Sequence, residues 1–195
     1  MMRVLIACEI SGVVRDAFRN QGYDAYSCDI QASTDTYHYQ GCAIDIAYGL
    51  NWDLMIAHPP CTHLAVSGAR WFPEKIADGR QKHAIDFATK LWNAPIPRIA
   101  IENPISVLAT HIRKSDQIVQ PWWFGDEYTK STCLWLKNLP KLTPTNIVDK
   151  GGRIKYPSGA SLPAWYANAR VKDRSNIRSK TFKGMAEAMA IQWSF

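Results

Sequence analysis

Short apolar runs alternate with helical stripes along this chain. Arg3–Cys8 predicts a first strand, Glu9–Gly12 a turn and Val13–Gln21 a helix. Tyr23–Cys28 predicts a second strand ending at Asp29, while residues 31–50, Asp45 among them, read as polar and irregular. Leu54–Ala57 predicts a third strand. Residues 78–93 carry helical spacing through Ile85, Phe87, Ala88, Leu91 and Trp92. Ile99–Ile101 predicts a fourth strand and Cys133–Leu136 a fifth, the latter preceded by the loop Pro121-Trp-Trp-Phe-Gly125. Thr181–Trp193 closes the pattern as a helix with Met185, Ala188, Met189 and Trp193 on one face. Strands alternating with helices imply an α/β fold, a doubly wound, mostly parallel sheet with helices on both faces.

At 195 residues the chain suits one well-buried domain, residues 1–195, and is short for two. Apolar residues make up 47% and charged residues 21%, which excludes wholesale disorder. No stretch approaches the ~20 apolar residues of a membrane span, and the N-terminus lacks a signal-peptide layout. Five cysteines at scattered spacing make no disulfide framework, so a reducing cytoplasm is expected. No CxxC or HxxxH spacing supports a metal site.

Charge changes the picture through its placement. Residues 151–180 hold Arg153, Lys155, Arg170, Lys172, Arg174, Arg178 and Lys180 against the single acid Asp173, which accounts for the whole net charge of +6. Gly151, Gly152, Tyr156, Trp165 and Tyr166 are interleaved with them. Such a stretch suits a phosphate backbone and bases. The bland alternative is a solvated loop whose charges only keep it soluble.

Two predicted strands end in reactive side chains. Asp53-Leu-Met-Ile-Ala-His-Pro-Pro-Cys61 delivers a thiol, and Arg98-Ile-Ala-Ile-Glu102-Asn103-Pro104 delivers a carboxyl. In open α/β sheets ligands bind where strands end, so the pair suggests a nucleophile and a proton-handling partner. Cys61 has two readings: an inert small hydrophobe, or a nucleophile held on a turn stiffened by Pro59 and Pro60. The first strand–turn–helix also reads as the start of a nucleotide-binding half-fold, with Gly12 in the turn and Asp29 at the next strand end as the ribose-binding acid. A full GxGxxG is absent.

With these parts in order, the chain resembles the DNA cytosine-5 methyltransferases, and more closely their short phage and prophage versions. Val4–Gly12 is similar to the family's first cofactor motif, Cys28-Asp29 to the second, and Asp45 to the acid facing the adenine amine. His58-Pro-Pro-Cys61 matches the nucleophile motif and Ile101-Glu102-Asn103-Pro104 the Glu-Asn-Val motif. Phe182–Ala190 resembles the terminal helix that returns to the cofactor site. Lys130-Ser-Thr132 stands where the family usually has Arg-x-Arg, and the dedicated recognition domain is missing or reduced to residues 141–180.

The resemblance implies a Rossmann-like class I methyltransferase fold, S-adenosylmethionine as cofactor and DNA as partner, in a protein expected to be monomeric. It implies that Cys61 adds to C6 of a flipped-out cytosine, that Glu102 holds N3 and the exocyclic amine, and that Asn103 positions the Pro-Pro-Cys loop. Cys8, Glu9, Gly12, Asp29, Ile30, Asp45 and Pro59 fall to the cofactor. Pro60, Lys130 and Thr132 fall to the nucleic acid, and charge placement, not any matched residue, adds Arg170, Lys172 and Arg174. Two rival functions stand beside it: an enzyme modifying C5 of free pyrimidine nucleotides, and a DNA-binding relative without turnover.

Overall fold

A computed structural model describes residues 1–167 and 181–194. The first strand, β1 (Arg3–Ala7), leads into α1 (Val13–Asn20), followed by β2 (Asp24–Asp29) and β3 (His38–Gln40). Helix α2 (Ala43–Gly49) then crosses to β4 (Leu54–Ala57). Beyond β4 come a 3₁₀ turn (Val66–Trp71), α3 (Phe72–Ala77), α4 (Arg80–Trp92), β5 (Arg98–Pro104), α5 (Leu108–His111) and β6 (Gln117–Val119). The chain continues with β7 (Thr132–Lys137), β8 (Arg153–Lys155), β9 (Ser161–Pro163), α6 (Ala164–Ala167) and α7 (Lys183–Gln192).

Seven strands form one sheet in the order β3-β2-β1-β4-β5-β7-β6. β1 through β5 run parallel, and β7 is antiparallel to both β5 and β6. The expected doubly wound sheet is therefore present. Every residue of β4 is buried, as required of a strand covered on both faces. Along β1, Val4 and Ile6 join the cluster under α1 and α7, while Leu5 and Ala7 join the one under α2 and α4. α1 and α7 are held by their apolar stripes. Phe18 on α1 and Met189 on α7, followed by Trp193, are fully buried in the first cluster, each contributing about 1.5–3 kcal/mol of transfer free energy.

Residues 31–50 depart from expectation. They contain β3 and α2, with Ala43 and Ala47 buried one turn apart on the helix. The polar part is also anchored, because the buried Arg15 guanidinium bonds Asp35 at 2.7 Å and Ser27 at 3.1 Å. β8 and β9 make a separate two-stranded hairpin.

Strand order reverses at β1, which sends β2 and β3 to one side and β4 and β5 to the other. Such a switch point opens a crevice at the carboxyl ends of the strands. The ends of β1, β2, β4 and β5 meet there, and antiparallel β7 starts at the same edge.

Candidate active site

The chain leaves β4 through His58-Pro59-Pro60-Cys61. The His58 amide donates to the Ala7 carbonyl at 2.9 Å, carrying the β1–β4 ladder one step further. The two prolines that follow have no N–H to continue it. Side chains from three other elements hold the loop instead. Asn103 on β5 donates to the Pro59 carbonyl at 2.8 Å, Lys75 on α3 to the Thr62 carbonyl at 2.7 Å, and Gln81 on α4 to the His63 carbonyl at 3.2 Å. All three are buried, which is unusual for a lysine. The Cys61 carbonyl accepts from the amides of Leu64 and Ala65, so the thiol-bearing residue opens a turn whose far end is sunk in the core. Cys61 itself is half-buried and is not disulfide-bonded.

β5 supplies the acid. Nδ1 of His58 lies 3.0 Å from Oε2 of Glu102, and both side chains are about 12% exposed. Burial alone would push the Glu102 carboxyl up, but the hydrogen bond from His58 and the positive charge of Lys130 outweigh it and hold the group below the usual carboxylate range. Burial pushes up the nearby Cys133 thiol, and the charge of Glu102 adds to that shift.

β7 completes this end of the site through its register. Thr132 pairs with Pro104, Cys133 with Asn103 and Leu134 with Glu102, which brings Lys130–Thr132 alongside the Glu-Asn-Pro segment. Thr132 is fully buried and its hydroxyl donates to the Lys130 carbonyl at 3.2 Å. The positive charge of this corner is carried by Lys130, whose ammonium lies 5.6 Å from the centre of the Phe182 ring. Gln120 fixes the backbone here, accepting from the Lys130 amide at 3.0 Å and donating to the Ser131 hydroxyl at 2.9 Å.

The ends of β1 and β2 form the neighbouring half. Cys8 takes a left-handed backbone conformation, φ 61°, of the kind glycine adopts without penalty. Glu9 is buried and caps α1, accepting from the amides of Val14 at 2.8 Å and Arg15 at 3.2 Å. Its charge thus neutralises the helix N-terminus from within. Gly12 is fixed twice over. Its φ is +71°, and a Cβ there would sit 2.3 Å from the Arg15 guanidinium, which is itself held by Asp16, Ser27 and Asp35. Asp29 accepts from the Gln31 amide through one carboxylate oxygen at 2.9 Å. Ile30 beside it is 78% exposed. The Gly41 amide bonds the Asp29 carbonyl, which draws Cys42 and the start of α2, with exposed Asp45, toward β2.

The structure thus gathers His58–Cys61, Glu102, Asn103, Lys130 and Thr132 in one group, with Cys8, Glu9, Gly12, Asp29, Ile30 and Asp45 along the adjoining strand ends. Arg170, Lys172 and Arg174 lie outside the described residues, as does part of the 141–180 segment. Within its described part, Arg153 braces the β8–β9 hairpin through Ser161. Trp165 packs edge-on against Tyr128 and Phe182, with centroids at 5.7 and 6.5 Å. Lys75, Gln81 and Gln120 are functional candidates that sequence reasoning missed, and none carried a signal. His58 was read in the sequence as the first residue of the nucleophile motif, without a role of its own. Among the described residues no group of three or more His, Cys, Asp or Glu could hold a metal, and no helix is long and apolar enough to cross a membrane. A cavity of about 730 Å³ lies between α1, Asp126, Tyr128, Trp165 and the start of α7, lined in part by Phe182, the ring beside Lys130.

No protein-family model and no curated protein matches the sequence. Among solved structures, the chain is similar to a prophage-encoded Escherichia coli protein provisionally named a DNA modification methyltransferase. The TM-score is 0.51 at 14% identity, over 76% of this chain and 52% of that one. The chain thus spans about half the length of that protein. At this identity the likeness concerns the fold, which is methyltransferase-like.

Proposed function

We propose that the chain transfers a methyl group from S-adenosylmethionine to C5 of cytosine in DNA, through a covalent adduct of Cys61 at C6. The observation that carries this is the fastening of the Cys61 loop to the Glu102-Asn103 strand end. Asn103 holds the Pro59 carbonyl at 2.8 Å and His58 meets Glu102 at 3.0 Å. A base lodged between them would meet a thiol on one side and a carboxylate on the other.

The residues suit the cofactor. Asp29 closes β2 with one carboxylate oxygen engaged by Gln31, exposed Ile30 offers an apolar surface, and Asp45 on α2 offers an acceptor. Left-handed Cys8 and Gly12 turn the backbone tightly at the end of β1. When bound, S-adenosylmethionine supplies the electrophilic methyl group.

The chain's own residues do the rest. Cys61 Sγ bonds to C6 and opens the C5=C6 double bond, which makes C5 nucleophilic. Glu102 receives the base edge and handles the proton required at N3 as charge develops there. Asn103 keeps the loop, and with it the thiol, in place. After C5 has been methylated its proton leaves, the S–C6 bond breaks and the thiolate is restored. Lys130 supplies the cation beside Glu102 that the family's arginines would provide, and the 141–180 segment serves as a reduced reader of DNA.

Transfer of labelled methyl groups to duplex DNA, single strands and dCMP tests the proposal. Incorporation at C5 of cytosine in DNA is expected. Incorporation only into dCMP would point to a nucleotide-modifying enzyme, and DNA binding without incorporation to a relative lacking turnover.

A further inference from the structure

His58 has no part in the chemistry outlined above, yet it touches the acid on which that chemistry depends. Its Nδ1 is 3.0 Å from Glu102 Oε2 in a largely buried pair. His58 Nε2, on the ring that meets Glu102, is buried and has no hydrogen-bond partner among the described residues, and neither has Asn103 Oδ1 on the amide that holds the Pro59 carbonyl. Buried polar atoms are nearly always satisfied, so an orphaned nitrogen on the ring that meets the carboxylate, and an orphaned amide oxygen on the next residue of the strand, point to a polar ligand that completes the set. A base edge presents such groups.

We infer that His58 is the positioning and proton-holding partner of Glu102, the two sharing one proton that passes to N3 of the target base. The inference rests on the cytosine-5 reading proposed above. With His58 donating to Oε2, the carboxylate is fixed in orientation and Oε1 is left for the base. As Sγ–C6 forms and the C5=C6 electron pair moves toward N3, the one shared proton passes from Nδ1 to Glu102 and from Glu102 on to N3, leaving Glu102 a carboxylate. Neutral His58 remains, protonated at Nε2. When water takes the C5 proton and the S–C6 bond breaks, the N3 proton returns to the pair. No outside acid is required.

Among the described residues the charged and titratable neighbours of the pair are few. Lys130, from the segment before β7, bears on Glu102 with its positive charge, and Cys133 on β7 lies close enough to feel the acid. Cys61 and His63 share the loop of His58. β1 meets His58 through the Ala7 carbonyl, and the Glu9 that follows is turned to α1.

The test is His58→Asn, whose amide nitrogen takes the place of Nδ1 but carries no titrating proton. Methyl transfer to DNA is read as kcat and KM across pH 5.5–9.5, with S-adenosylhomocysteine titrated by calorimetry to report folding. The variant should bind the nucleoside within twofold of the unsubstituted protein and keep its KM for DNA. It should lose about a hundredfold in kcat, the scale of a general acid, and lose the alkaline limb of the profile. Glu102→Gln should lose the same limb. An unchanged kcat, or a lowered one with the alkaline limb intact, overturns the inference alone. Absence of transfer by the unsubstituted protein overturns the cytosine-5 reading and this inference with it. A His58→Asn protein that fails to fold passes the decision to Glu102→Gln, where an intact limb is again the overturning result.

Discussion

Asn103 Nδ2 donates to the Pro59 carbonyl at 2.8 Å, joining the end of β5 to the loop that leaves β4. Neither proline in that loop can bond the sheet through its own nitrogen, so this contact substitutes for the missing ladder. Asn103→Ala leaves the carbonyl buried and unpaired, at a cost of about 1–3 kcal/mol. The urea midpoint should fall accordingly. Covalent trapping by DNA containing 5-fluorocytosine should slow about tenfold or more as the thiol loses its aim.

Cys61→Ser should abolish methyl transfer and leave S-adenosylhomocysteine affinity near that of the unsubstituted protein, because in the proposed mechanism the thiol meets the base and not the nucleoside. Fluorine at C5 blocks the elimination step. The trapped peptide should therefore contain Cys61 when mapped by mass spectrometry, and full activity in the serine variant would remove the mechanism.

Asp29 closes β2 with one of its oxygens on the Gln31 amide. If the other meets the ribose hydroxyls, Asp29→Ala removes a charge-assisted hydrogen bond of ~1.5–3 kcal/mol, about ten- to a hundredfold in affinity. Calorimetry with S-adenosylhomocysteine reads this directly. An unchanged dissociation constant would place the nucleoside elsewhere.

Burial, with the charge of Asp29 adding, pushes the Cys28 thiol up to about 12, and burial pushes Cys8 higher still. The folded state therefore keeps these protons at a pH where the unfolded chain, with thiols near ~8.5, releases them. Their contribution to stability is complete below about pH 8.5 and declines as pH rises toward 12, by up to about 1.4 kcal/mol per pH unit for each thiol. Denaturation midpoints at pH 7.5, 9 and 10 should fall, and Cys28→Ala should flatten that fall. The same thiols should resist alkylation at pH 8 in the native protein.

Changing Arg170, Lys172 and Arg174 together to Ala should weaken binding to all DNA sequences. It should flatten the dependence of log K on log salt by up to about three units, close to −0.9 per lost phosphate contact. Unchanged affinity and salt slope would mean that the segment is a solvated loop. The DNA surface would then be sought elsewhere, for instance along residues 70–80, where Arg70 stacks 5.0 Å from the half-exposed Trp71 ring.

Much of this was legible because each long element carries its own apolar signature. β4 was bounded correctly at Leu54–Ala57 since all four residues are buried on both faces, and α1, α4, β5 and β7 fell within one to three residues of their predicted ends. The short elements were not legible. β3, β6, β8 and β9 have three residues each, too few for a period to register, and α2 hides its two buried alanines in a polar neighbourhood. They exist because neighbours already in place supply partners, as β2 does for β3 and β7 for β6.

The site divides along the same line. That a thiol and an acid stand at strand ends follows from sequence alone, since an apolar run stops where its chemistry changes. Which side chains touch was decided by topology, because β4 and β5 must lie side by side before residues 44 apart in the chain, His58 and Glu102, can share a hydrogen bond. Lys130 reaches the acid only because β7 runs antiparallel and starts where β5 ends. Lys75 and Gln81 are ordinary polar residues in the sequence, and only the packing of α3 and α4 turns them onto the carbonyls of the Cys61 loop. Local pattern encodes which residues are buried and where strands end. Contacts between distant polar side chains have no local signature, so only the folded arrangement of the sheet specifies them.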